Sequence, residues 1–189
     1  MVAPVRFVGI LIAALAVAGG AVAAERPSHP PNLPRYDLDL KVDTGSGLVS
    51  FRMDCTWTNR ADKPTDRVLI NFYPNYKIPP GDYLLLAKTL ELLRLNPRYG
   101  IDKKGQHGTI SKVAVHRVGA AAVDPKPIPF SYRNDNPTAL VVPLQGEVKP
   151  GESVSFEVVG SIQLKQLQGR WGQWNGITFL TNALPTIAY

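Results

Sequence analysis

The chain has 189 residues, of which 44% are hydrophobic, so it can form a packed core and is not disordered throughout. It carries a net charge of +6, and because its Lys and Arg are spread along the sequence, we interpret the excess as aiding solubility or attraction to acidic envelope polymers and do not expect nucleic acid as a partner. The 17 Pro and 16 Gly predict many turns and few long helices. With one cysteine, Cys55, an internal disulfide is excluded, and its alternating apolar neighbours predict a buried thiol.

The first residues have the pattern of an export signal. Arg6 precedes an apolar run from Phe7, and Ala21-Val22-Ala23 fits the small-x-small rule for signal peptidase. We expect residues 1–23 to be a helical signal peptide, cleaved before Ala24 or Glu25, and the protein to be exported, periplasmic or extracellular. The alternative is that residues 7–24 remain as a membrane anchor, the one way in which this chain would contact a membrane. The Pro-rich residues 24–34 indicate an extended linker.

Residues 35–189 are expected to form one β-sandwich domain. Apolar residues alternate with polar ones from Tyr36 to Val42 and from Val49 to Trp57, on either side of a Gly-rich turn, which predicts a hairpin. Further strand patterns recur about every dozen residues, as in an antiparallel sandwich. The predicted core combines the inward residues of four strands: Val49, Phe51, Met53, Cys55, Trp57, Ile70, Phe72, Val154, Phe156 and Val158.

One segment departs from this strand pattern. Between Leu84 and Leu95, leucines recur with helical spacing and Lys88, Glu91 and Arg94 form a narrow polar stripe. Asn96-Pro97 ends the pattern, and residues 98–108 have the composition of a loop. We expect one short amphipathic helix, with an apolar face that marks an interface if nothing in the chain covers it.

No complete catalytic site is evident in the sequence. His29, His107 and His116 do not have the spacing of zinc ligands on one helix, and no HExxH, GxSxG or phosphate-binding loop is present. We therefore predict no catalytic residue, no metal site and no cofactor in this chain. Arg170, Trp171 and Trp174 lie in a Gly-rich segment, where exposed rings would bind a ligand by stacking and buried rings would fill the end of the sandwich.

Several segments, in order, resemble the amino-terminal domain of the alanyl-aminopeptidase (gluzincin zinc metallopeptidase) family, in its bacterial secreted form. They are residues 35–43, Thr56-Trp57-Thr58-Asn59, residues 69–75, residues 139–144 with 149–154, and Leu184-Pro185-Thr186-Ile187-Ala188-Tyr189. The resemblance implies a non-catalytic β-sandwich that precedes a thermolysin-like domain, to which the zinc ligands and catalytic glutamate belong. None of those motifs occurs here, and the helical segment departs from the family's succession of strands.

The resemblance and the apolar end of the sequence together predict an incomplete domain, a fragment of a secreted zinc-aminopeptidase-like protein. Its partner would be a missing catalytic domain, whose peptide-binding site it supports or shapes. The alternative is a free-standing exported binding module for a sugar or an envelope protein. Under either interpretation nucleic acid is not a partner.

Overall fold

A computed structural model describes Pro30 and residues 33–188. The predicted signal peptide (residues 1–23), most of the linker including His29, and Tyr189 lie outside the described residues. Across the described part of the chain, neither α-helix combines the length and apolar content needed to span a bilayer.

The described residues fold mainly into antiparallel strands, which confirms the predicted fold class. The strands are β1 (Arg35–Asp43), β2 (Leu48–Thr58), β3 (Thr65–Asn71), β4 (Gly108–Val118), β5 (Ala121–Ala122), β6 (Ser131–Arg133), β7 (Asn136–Val148), β8 (Ser153–Gln163), β9 (Trp171–Trp174), β10 (Ile177–Leu180) and β11 (Thr186–Ile187). The helices are α1 (Tyr83–Leu92) and α2 (Pro97–Gly100), preceded by 3-10 turns at Tyr73–Asn75 and Pro80–Asp82.

Two sheets face each other across the core. One has the order β1-β2-β8-β4-β5 and the other β11-β3-β7-β6, while β9 and β10 form a separate hairpin. Alternation places the apolar side chains of β2 and β8 on the inner face, where Phe51, Phe156 and Met53 are buried against Ile70 and Leu140 of the second sheet. The predicted core is confirmed at every position but Trp57, which is only partly buried at its edge.

Strand β1 differs from the predicted half-buried strand. Leu38, Leu40 and Val42 lie opposite Met53, Phe51 and Val49 of β2, and so on the core side of the sheet, yet all three are exposed. The cause is the width of the second sheet, because its edge strand β11 has only two residues and leaves this side of β1 uncovered.

The predicted helix is confirmed as α1, which starts at Tyr83 rather than Leu84 and ends at Leu92 rather than Leu95. Arg94 has a φ of 58°, a left-handed conformation that stops the helix. The expected loop after it contains the short helix α2, in which Pro97 occupies the first turn and the Asn96 side chain accepts a hydrogen bond from the Arg98 amide at 3.0 Å.

Candidate functional site

A cavity of about 1060 Å³ lies between the two helices and the end of β8. Its walls come from α1, from α2, from the loop that precedes β4 and from the segment that follows β8. The side chains that line it are Tyr83, Leu84, Ala87, Pro97, Arg98, Ile101, Asp102, Lys103, Lys104, His107, Gln163, Leu164, Lys165, Gln166 and Leu167. A cavity of this size lies at the upper end of the roughly 300–1,000 Å³ typical of ligand pockets.

Backbone hydrogen bonds hold the parts of the cavity together. The Gln163 amide donates to the His107 carbonyl at 2.8 Å, which ties the loop before β4 to the end of β8. The Gln168 amide donates to the Tyr99 carbonyl at 2.7 Å, which ties the segment after β8 to α2. The loop before β4 and α2 are therefore each joined by a main-chain hydrogen bond to β8 or to the segment that follows it.

Asp102 is a buried polar side chain of the cavity, 7% exposed, and both of its carboxylate oxygens have hydrogen-bond partners. Its Oδ1 accepts hydrogen bonds from the amides of Lys104 at 3.0 Å and Gly105 at 3.1 Å, while its Oδ2 lies 2.8 Å from His107 Nε2. Gly105 has a φ of 61°, and a Cβ there would lie 2.9 Å from the Lys77 Cα, so this turn requires glycine. Burial alone would raise the pKa of Asp102, but the Gly105 amide, His107 and Lys165 together lower it, which keeps the carboxylate charged.

Lys165 places an ammonium beside this carboxylate. Its Nζ lies 3.8 Å from Asp102 Oδ2 and 4.5 Å from the centre of the Trp171 ring, and its side chain is 14% exposed. Burial lowers the pKa of Lys165, against the opposing attraction of Asp102. Asp102, His107 and Lys165 thus form a polar cluster in a cavity whose other walls are largely apolar.

The three residues predicted to bind a ligand do not form a common exposed platform. Trp171 is 2% exposed and lies behind the polar cluster, with its ring centre 5.5 Å from that of His107 and the two rings steeply inclined. Trp174 is half-buried, with its ring centre 4.7 Å from that of Tyr99 in α2, and Arg170 is exposed. Trp171 is thus buried, one of the two roles that the sequence left open. The polar cluster in front of it was missed because Lys165 is far from Asp102 and His107 in the chain.

A second cluster lies on the outer face of the first sheet. Asp54, His116 and Glu157 bring three possible metal-ligating atoms within 4.8 Å of one another. Glu157 is nearly fully buried, and its two oxygens lie 2.7 Å from Arg52 Nε and 2.8 Å from Lys112 Nζ. A metal ion would have to compete with both cations for this carboxylate, so the geometry favours an ion-pair network over a metal centre.

His107 and His116 belong to these two separate clusters, the first in the cavity and the second on the sheet face. The only other histidine, His29, lies outside the described residues. No known protein-family model matches the chain, and no curated protein matches it at a significant level.

Proposed function

We propose that the chain is the non-catalytic amino-terminal β-sandwich domain of a secreted zinc-aminopeptidase-like protein, which supports or shapes a peptide-binding site supplied by a catalytic domain. The observation that carries the proposal is that separate segments with the family resemblance meet at one place. The Ile187 amide donates to the Tyr36 hydroxyl at 2.9 Å, and Thr186 pairs with Asn71 in the second sheet.

A second pair of these segments meets just beyond the end of β2. The Asn59 side chain donates to the Val148 carbonyl at 2.8 Å, while its backbone amide and carbonyl bond to Glu152 and Gly151. Asn59 is 1% exposed, and its side chain also accepts a hydrogen bond from the Ala61 amide. A buried side chain in this place must both donate and accept hydrogen bonds, as the amide of Asn does. The quoted residues therefore make contacts within the sandwich itself.

The outer face of α1 supplies a surface for such a partner. Leu85, Leu92 and Leu93 are all exposed, whereas Leu84 borders the cavity and Leu86 and Leu90 face the rest of the chain. An uncovered apolar patch of this kind is typical of an interface.

The direct test is to read the DNA that follows codon 189 and the neighbouring genes. A HExxH zinc motif in the same frame, or in an adjacent exported protein that binds this chain, is the expected result. If neither exists, the chain is not part of a peptidase.

An assay on the purified protein tests the non-catalytic part of the proposal. A hydrolytic zinc site needs three protein ligands, an open position for water and a base. We expect no stoichiometric zinc by elemental analysis and no turnover of aminoacyl-anilide substrates. Chelator-sensitive turnover that co-purifies with the chain would contradict this.

Export is part of the proposal and has its own measurement. We expect material secreted by the native host to begin at Ala24 or Glu25, because Ala21-Val22-Ala23 has the small residues that signal peptidase requires. Mass spectrometry of the intact protein gives the answer. A mature terminus at Met1 would instead favour a retained anchor formed by residues 7–24.

The cavity favours a second candidate function, a free-standing exported module that binds a small ligand or an envelope protein. Its size, apolar walls and buried polar cluster are those of a ligand pocket. The two candidates differ in whether a partner domain is needed. Ligand binding by the chain alone, with no peptidase encoded nearby, would favour the binding module.

A further inference from the structure

Lys165 has unused hydrogen-bonding capacity inside the cavity. An ammonium has three donors, yet the Lys165 Nζ makes no hydrogen bond to any residue among 33–188. Its attractive contacts there are the 3.8 Å ion pair with Asp102 and the cation–π contact with the Trp171 ring. A charge that is largely removed from water is costly unless it is paired and hydrogen-bonded. A ligand oxygen in the cavity would provide an acceptor for these donors in place of solvent.

The surrounding charge indicates that the ligand is an anion. Arg98, Lys103 and Lys104 also line the cavity, whereas its one carboxylate, Asp102, is already engaged by His107 and two backbone amides. The cavity is therefore positive overall and attracts an anion. The Asp102 carboxylate, only 3.8 Å from the Lys165 Nζ, would repel the second charge of a dianion such as a phosphate monoester.

The apolar walls indicate the rest of the ligand. Leu84 and Ala87 of α1 line one side, and Ile101, Leu164 and Leu167 line others. A sugar would need aromatic faces and many polar groups, but the Tyr83 ring already carries the Lys103 ammonium at 5.4 Å from its centre. An aliphatic chain needs no hydrogen bonds and gains from contact with these side chains.

We propose that this cavity binds an aliphatic monocarboxylate, a fatty acid, with its carboxylate on Lys165 and its chain along the apolar wall formed by α1 and Ile101. Asp102 positions Lys165, and Asp102 and His107 hold the loop that forms one wall of the cavity. The site is complete within the sandwich and its helices, so it does not depend on a catalytic partner.

The test is calorimetric titration of the purified protein with decanoate, 1-decanol and decyl phosphate, all below the concentrations at which they aggregate. We expect one decanoate per chain, with 1-decanol and decyl phosphate each weaker by about tenfold or more, because the alcohol loses the charge-assisted hydrogen bond and the phosphate faces Asp102. Equal affinities for decanoate and 1-decanol, or no binding of decanoate to the folded protein, would overturn the proposal.

Matched variants assign the effect to Lys165. Lys165→Met keeps the aliphatic stem over Trp171 and should weaken decanoate by about tenfold or more without weakening 1-decanol. Lys165→Arg should keep most of the affinity, and Lys126→Met, which removes an exposed cation outside the cavity, should change nothing. An unchanged affinity in folded Lys165→Met would overturn the proposal.

If Lys165→Met does not fold, as judged by circular dichroism, a second variant decides. Ala87→Phe fills the cavity from α1 and leaves Lys165 intact, and it should weaken decanoate and 1-decanol together. Thr89→Phe, on the exposed face of the same helix, is its control. Retained decanoate binding in Ala87→Phe would place the ligand elsewhere and refute the site. These titrations are independent of the zinc and peptidase assays, so the two proposals can fail separately.

Discussion

The Phe51 ring of β2 occupies the space that a side chain on Gly160 of β8 would need. The two residues are partners in register, and a Cβ on Gly160 would lie 2.7 Å from the Phe51 Cζ and closer still to the Thr109 carbonyl oxygen. Because neither the ring nor the backbone of β4 can retreat in a packed core, glycine is required here for close approach.

Gly160→Ala is therefore expected to destabilise the protein by about 1–3 kcal/mol through overpacking. Gly146→Ala is the control, since a Cβ at Gly146 in β7 meets nothing within 4 Å. Urea unfolding followed by fluorescence measures both free energies of unfolding. Equal effects of the two substitutions would show that the contact with Phe51 does not restrict Gly160.

Removal of the ring tests the core directly. Phe51 is 3% exposed and its ring centre lies 6.0 Å from that of Phe72, so Phe51→Ala should lower the free energy of unfolding by about 3–5 kcal/mol. Leu40→Ala is the matched control, because Leu40 lies directly opposite Phe51 on the same side of β1 but is exposed. A loss below about 1 kcal/mol for Phe51→Ala would place this residue outside the core.

How far the sequence predicts this structure depends on whether the deciding interactions are local. The β1–β2 hairpin follows from alternation around Thr44-Gly45-Ser46-Gly47, and α1 follows from leucine spacing. The exposure of β1 depends on the width of the opposite sheet, which no local pattern records. The β9–β10 hairpin was missed although Asn175-Gly176, both with positive φ, is a strong turn signal.

The candidate site was harder to predict for the same reason. Asp102 and His107 are five residues apart in the chain, but Lys165 reaches them only because the segment after β8 passes the loop that precedes β4. The sequence drew attention to Trp171, which packs behind these residues, because tryptophans near glycines are visible in composition. An ion pair between residues far apart in the sequence, such as Lys165 and Asp102, is not visible in composition.

The ion-pair network around Glu157 should make stability depend on pH in the acid range. The hydrogen bond from Lys112, with the charges of Arg52 and His116, lowers the pKa of Glu157 against the effect of burial. A depressed carboxyl pKa contributes stability that is present above the unfolded value of about 4.3 and is lost as the pH falls through the lower native value. Urea unfolding between about pH 2 and 7 measures this loss.

Glu157→Gln removes the titrating group and should flatten the acid limb of that profile. Glu147→Gln, at an exposed position of β7, is the control and should leave the profile as it is. Identical acid limbs in wild type and Glu157→Gln would show that the network does not contribute to pH-dependent stability.

Cys55 should be unreactive while the protein is folded. It is 1% exposed, and burial raises its pKa to about 12. We expect no reaction with Ellman's reagent at about pH 8 in buffer and one thiol per chain in denaturant, because thiolate is the reactive form. The raised pKa also predicts stability that is fully present below the unfolded thiol value of about 8.5 and is lost toward pH 12. Rapid labelling of the native protein would contradict the buried position.

The two faces of α1 should respond differently to substitution. Leu92 is 83% exposed, whereas Leu90, two residues earlier, faces the rest of the chain and is half-buried. Leu92→Gln should change the free energy of unfolding by less than about 0.5 kcal/mol, as at other surface positions, while Leu90→Gln should cost at least about 1 kcal/mol because it places an amide in an apolar contact. If the outer face is an interface, Leu92→Gln will reduce self-association or partner binding in analytical ultracentrifugation while stability is retained. Equal stability losses at the two positions would mean that the outer face is covered within this chain.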